Sequence, residues 1–175
     1  NIANASPIGD TLPLLLALDA SLELFSAAGE RSIPLSEFYL EYKKTDLKPG
    51  EIIKSVLVPV PPRGAYVRSI KAAKRKAVDI SSVVTAVVIE TEGGKVTTAR
   101  LAAGGVAAVP KLSLQFRKAM QNMELQCLHP QEIAVYVAAE FEPITDVRGS
   151  KEYRSKLVYN HVYAYLREFL DGRQG

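Results

Sequence analysis

The chain is 175 residues long, 47% apolar and 23% charged, which excludes a disordered chain and allows one core or two small ones. A chain of this size buries roughly 70% of its unfolded surface, so it needs neither disulfides nor a structural metal to fold. The single Cys127 and two histidines argue against a zinc site, and an iron–sulfur cluster, which needs several thiolates, would have to lie outside the chain. The formal charge of +3 is too small to imply nucleic acid by itself, although Arg63, Arg68, Lys71, Lys74, Arg75 and Lys76 crowd one segment. Leu14 to Leu18, a wholly apolar run, falls far short of the ~20 residues of a membrane span, and no secretory leader precedes it, so the default is a cytoplasmic protein. The sequence opens at Asn1 inside what reads as a turn, and the expectation is a fragment whose beginning lies upstream.

In chain order, Asp10 is a good N-cap for a short buried helix from Thr11 to about Asp19, with Pro13 tolerated in its first turn. Ser21 to Phe25 and Arg31 to Leu35, separated by Ala-Ala-Gly, predict a hairpin followed by a small helix, Ser36 to Leu40. A polar loop from Tyr42 ends at Pro49-Gly50, and Glu51 to Val58 reads as a strand stopped by Pro59, Pro61 and Pro62. That proline cluster is the expected boundary between units 1–62 and 63–175.

Beyond it, Ala65 to Ala72, Ile80 to Glu92 and Val96 to Gly104 predict a three-stranded antiparallel sheet with a turn at Gly93-Gly94. Leu112, Phe116, Ala119, Met120 and Met123 recur at helical spacing, and Pro130 opens a helix carrying Ile133, Val137 and Phe141. The last segment, Ser150 to about Leu170, has Ser150 as N-cap and one apolar stripe through Leu157, Val158, Val162, Tyr165, Leu166, Phe169 and Leu170. Strands first and helices afterwards make an α+β fold.

Read locally, Lys74-Arg75-Lys76 is a solvated face, since a nucleic-acid site would want aromatic stacking platforms and only Tyr66 is near. Gly104-Gly105 follows a strand without a P-loop lysine or dinucleotide spacing and reads as a tight turn. His161 sits on the apolar stripe and is expected to be structural. Cys127 is a small buried hydrophobe or a loop residue.

Longer strings say more. Asn1-Ile2-Ala3-Asn4-Ala5-Ser6-Pro7-Ile8-Gly9-Asp10 resembles the second FAD-contacting motif of the molybdenum hydroxylase flavoproteins, without its leading glycines. Matches follow in the family's order at Glu41–Thr45, Pro49–Ile53, Lys71–Arg75, Asp79–Ser81, Ala103–Ala107 and from Asp146 through Arg154. The resemblance is nearest to the FAD-bearing small subunit of bacterial xanthine dehydrogenases. It implies a truncated FAD-binding subdomain followed by a CO dehydrogenase flavoprotein C-terminal-like unit.

The resemblance also implies an oxidoreductase complex that carries electrons from a pair of 2Fe–2S clusters through FAD to NAD. A molybdopterin-binding large subunit and an N-terminal iron–sulfur and FAD portion would be its partners, with neither nucleic acid nor membrane. It places Asn1, Ala3 and Ser6 on the flavin-side turn, Asp10 as a carboxylate toward FAD, Ile52 and Ile53 as an apolar pair beside its rings, and Lys71 near the isoalloxazine. Lys74, Arg75, Lys76 and Asp79 fall on the NAD-side loop, with the cations attracting phosphates and Asp79 repelling or orienting the dinucleotide. The family's first FAD subdomain has no counterpart in the sequence, so the implied site is partial, and the rival reading is a scaffold domain without flavin.

Overall fold

The computed structural model describes residues 1–76 and 78–172. Helix α1 (Leu12–Ala17) carries Pro13 in its first turn and buries Leu12, Leu16 and Ala17. Asp10 does not cap it. The Leu12 N–H is taken by the Gly9 carbonyl at 3.2 Å and Thr11 already has helical dihedrals, so the carboxylate is left for another partner.

Strands β1 (Ser21–Ser26) and β2 (Gly29–Pro34) form the expected hairpin, with Leu22 and Leu24 turned into the core. Helix α2 (Leu35–Phe38) is a single turn. The sequence predicts helix through Leu40, but Tyr39 is extended and opens β3 (Tyr39–Glu41), which pairs with β4 (Lys44–Thr45) inside the predicted polar loop. Strand β5 (Ile52–Leu57) joins the other side of β1 to give the order β2-β1-β5.

One ion cluster ties the loop before β5 to the hairpin. Arg31 donates from Nε to Glu51 at 2.7 Å and from Nη1 to Asp46 at 2.8 Å, and the Lys48 N–H also reaches Glu51 at 2.7 Å. The hydrogen bond from Arg31, followed by that from the Lys48 backbone, holds the Glu51 carboxyl down to about 2 from its ordinary 4.5. A depressed carboxyl contributes stability above its unfolded value that disappears as pH falls through its folded value. Arg31→Ala is therefore expected to lower the melting temperature at pH 7 and to flatten its decline between about pH 4.5 and 2. Melting curves across that range check it, and an unchanged acid slope would remove Arg31 from the account.

Strands β6 (Tyr66–Ala73), β7 (Ser81–Glu92) and β8 (Lys95–Gly104) make the predicted antiparallel sheet, and β9 (Lys111–Leu112) adds a short fourth strand. The turn at Gly93 (φ +57°) and Gly94 (φ +77°) has the double positive φ that a two-residue hairpin with the native twist requires. From Ser81 to Ile89 every residue of β7 is buried. Alternate strand residues face opposite sides, so uninterrupted burial means that both faces of the sheet are covered. Val83, Val87 and Ile89 with Leu101 and Ala103 pack against the C-terminal helices, while Ala86, Val88 and Ala102 pack with Leu12, Leu16 and Phe38.

Helix α3 (Leu114–Met120) starts at Ser113, whose Oγ accepts from Phe116 N. Helix α4 (Pro130–Glu140) has Pro130 in its first turn, and α5 (Lys151–Asp171) is capped by Ser150, whose Oγ accepts from Tyr153 N at 3.2 Å. Between α3 and α4, Cys127 ends a short 3-10 turn and is exposed, which makes it a loop residue. No helix among the described residues is long and apolar enough to cross a membrane.

Candidate functional site

The first nine residues coil on themselves. Asn1 O accepts from Ser6 N at 3.2 Å, Ile2 O from Ala5 N at 3.1 Å and Ser6 O from Gly9 N at 3.2 Å. The coil rests on one end of the central sheet, because Pro7 O accepts from Gly105 N at 2.7 Å and Ile8 O from Ser81 Oγ at 3.2 Å. Ala3 and Asn4 are exposed, and their backbone N–H groups have no partner among the described residues. The turn thus presents donors at its surface, as a site for an electron-rich ligand would.

At the same sheet end, Lys71 on β6 donates to Asp10 Oδ2 at 2.6 Å and to Asp79 O at 2.7 Å. Two residues singled out from separate strings of the sequence, Asp10 and Asp79, converge on the ammonium of a third, Lys71. Asp79 is also held by its own loop. Its Oδ2 accepts from Arg75 N and its Oδ1 from Ile80 N, each at 2.9 Å, so both oxygens are engaged within their own loop. The Arg75 N–H is the main reason that this carboxyl lies below the usual range.

Lys74 reaches away from the loop to Val147 O at 2.6 Å, leaving exposed Lys76 and largely exposed Arg75 as the loop's outward cations. Val78 is 96% exposed at φ +47°, an unfavourable conformation for a β-branched side chain. Arg68, earlier in the basic segment, pairs with Glu168 at 2.7 Å.

Ile52 and Ile53 lie on opposite faces of β5. Neighbours on a strand point to opposite faces: Ile53 packs on the core, whereas Ile52 is 61% exposed across from Phe25.

Sequence reasoning quoted Arg154 within a motif but gave it no role. It is 1% exposed in the first turn of α5, and its guanidinium donates to Ser82 O at 2.5 Å, Gly105 O at 2.8 Å and Asp146 Oδ1 at 2.6 Å. A signal was present, because position 154 lies one helical turn before Val158 on the apolar stripe, where a cation requires buried acceptors. Arg154, Gly105, Pro7 and Ile8 line a common cleft of about 310 Å³. Neither this cleft nor the larger open ones, about 620 Å³ at α4 and α5 and about 920 Å³ beside Tyr66, is lined by any of the predicted site residues. His161 is buried against Thr85, as a structural histidine should be.

A coil with open N–H donors, a buried sheet beneath it and an Asp–Lys pair beside it meet at one end of the central sheet. The chain belongs to the flavoprotein family of the molybdenum hydroxylases: residues 1–61 match the FAD binding domain in molybdopterin dehydrogenase and residues 68–169 the CO dehydrogenase flavoprotein C-terminal domain.

The chain is similar to the glyceraldehyde dehydrogenase medium chain of Sulfolobus acidocaldarius, with 32% identity over 90% of this chain and 55% of that one. It is 30% identical to a putative xanthine dehydrogenase FAD-binding subunit of Escherichia coli, over 96% of this chain and 58% of the relative. The structure of reconstituted CO dehydrogenase from Oligotropha carboxidovorans superposes with a TM-score of 0.87 at 26% identity, covering 97% of this chain and 59% of that one. The chain therefore spans little more than half the length of the relatives it matches.

Proposed function

We propose that the chain is part of the FAD module of a molybdenum hydroxylase resembling xanthine dehydrogenase, passing electrons from iron–sulfur clusters through FAD to NAD in the cytoplasm. In this reading residues 1–62 are the end of the FAD-binding domain and residues 63–175 the flavoprotein C-terminal domain. The clusters, the remaining FAD contacts and molybdopterin come from partner portions. The observation that carries the reading is the 2.6 Å bond between Asp10 and Lys71, one from each matched unit, beside the open N–H groups of Ala3 and Asn4.

These residues suit FAD. Backbone donors at Ala3 and Asn4 answer oxygens of the cofactor, Asp10 accepts from a hydroxyl, and the Lys71 ammonium favours negative charge on a reduced ring. The flavin, when bound, supplies the electron and hydride chemistry, and the protein supplies orientation and electrostatics. Arg75 and Lys76 are the cations that attract the phosphates of NAD. The substrate would meet molybdopterin on another chain, so nothing in this site selects purines over other substrates.

The test is Asp10→Ala in the complete subunit. Asp10 makes no helix-cap bond and is exposed, so melting should shift little. Loss of a hydrogen bond to a charged group costs roughly 1.5–3 kcal/mol, or about 10- to 100-fold in FAD affinity. Flavin absorbance after dialysis reads this directly. Full flavin occupancy in the variant would remove Asp10 from the site, and a colourless wild-type subunit would favour a scaffold.

A further inference from the structure

We infer that Arg154 is a positioning residue for the flavin site, fixing the Asn1–Asp10 turn and the Lys74–Asp79 loop from beneath through Ser82, Gly105 and Asp146. The inference rests on the preceding reading for its link to FAD. Its structural core stands without it.

The bonds run outward from the guanidinium in two branches. In the first, Arg154 holds the carbonyls of Ser82 and Gly105, at the start of β7 and just past the end of β8. Immediately beside them, Gly105 N donates to Pro7 O and Ser81 Oγ to Ile8 O. The two strand ends that seat the turn are thus held by one side chain.

In the second branch, Arg154 holds Asp146 Oδ1, which also accepts from Arg148 N at 2.8 Å. This fixes residues 146–148, whose Val147 carbonyl accepts from Lys74 and whose Arg148 carbonyl accepts from Ser82 Oγ at 2.9 Å. The loop carrying Asp79 is tethered by the same support, and Asp79 O in turn accepts from Lys71.

The chemistry of the clamp requires arginine. Carbonyls at strand ends have no ladder partner to continue with, and burying them unpaired is costly. A guanidinium presents several donors in a fixed planar fork, whereas an ammonium is a point charge on a flexible stem. Burying a cation is itself expensive, so its presence on a stripe with Val158, Val162 and Tyr165 marks a place where several acceptors must be gathered. Gly105 is shaped to admit it: a Cβ there would lie 3.0 Å from Arg154 Nη1 and 2.4 Å from Ser82 O.

A purely structural arginine would destabilise the whole fold on removal without loosening one site in particular. The experiment compares Arg154→Met and Arg154→Lys with Leu166→Ala, a fully buried core change on the same helix, in the complete FAD-bearing subunit. Each is measured at the same interval below its own melting temperature. Amide exchange in residues 1–9 and 71–80 is read on the flavin-free subunit, and FAD dissociation by the rise of flavin fluorescence on dilution.

The expected result is exchange in both segments, and FAD loss, at least tenfold faster in Arg154→Met, with Leu166→Ala like wild type in both readouts and Arg154→Lys intermediate. Should Arg154→Met fail to fold, Arg154→Lys carries the same comparison. Exchange in the two segments no faster than in Leu166→Ala would overturn the inference. A wild-type subunit that binds no FAD overturns the functional reading instead and leaves the exchange comparison to decide the clamp.

Discussion

Gly105→Ala is expected to be among the most damaging single-methyl additions in the chain, costing about 2–5 kcal/mol. Two penalties combine. Residue 105 has φ +82°, a left-handed conformation that costs an L-residue about 1–2 kcal/mol. Its new Cβ would lie 2.4 Å from the Ser82 carbonyl oxygen, a backbone atom that cannot swing aside, and overpacking of this kind costs roughly 1–3 kcal/mol more. For a protein of this length, the sum lowers the melting temperature by about 4–20 °C.

Gly94→Ala is the matched control. It has φ +77° with nothing within 4 Å of the added Cβ, so only the conformational penalty of about 1–2 kcal/mol applies. Urea titration of the two variants measures the difference. If Gly105→Ala costs no more than Gly94→Ala, the close packing of Ser82, Gly105 and Arg154 does not constrain the fold.

What the sequence disclosed depended on the range of the interaction. The Gly93-Gly94 hairpin, the Ser150 cap and the stripe of α5 are specified by residues within one or two turns of each other, and each stands where local reasoning put it. Asp10 shows the limit. Beside a proline-bearing helix start it is a fair cap, yet its partner is Lys71, 61 positions away, and no local pattern announces that pairing. Ile52 and Ile53 were read as a pair by resemblance, and strand alternation sets them on opposite faces of β5.

The continuous apolar run of β7 was legible as a long strand. That it lies under two layers at once, with α1 on one face and the C-terminal helices on the other, follows from a topology the run does not encode. Arg154 was quoted as part of a motif, but its role required knowing which carbonyls end up beneath α5.

His161 is expected to make the fold acid-labile well before the carboxylates do. Its ring is 7% exposed, with Nδ1 2.9 Å from Thr85 Oγ1. That hydroxyl also lies 2.9 Å from Tyr165 Oη, which donates to Thr85 O. Burial pushes the imidazole down to about 4 from its ordinary 6.5. The unfolded chain therefore takes up a proton at a pH where the folded chain refuses it. Stability is full above about pH 6.5, falls as pH drops toward 4, and by then has lost about 3 kcal/mol.

The Glu51 contribution disappears in the lower window, from about 4.5 to 2, so the two effects separate on a pH scan. His161→Asn keeps a polar partner for Thr85 but cannot titrate. It should be less stable than wild type at pH 8 and have a flatter profile between pH 6.5 and 4.5, with the two curves converging or crossing at the acid end. Urea unfolding at half-unit pH intervals measures both curves. Parallel curves through that window would mean that the imidazole is not the group whose protonation opposes folding, and that the contact between α5 and β7 is insensitive to acid.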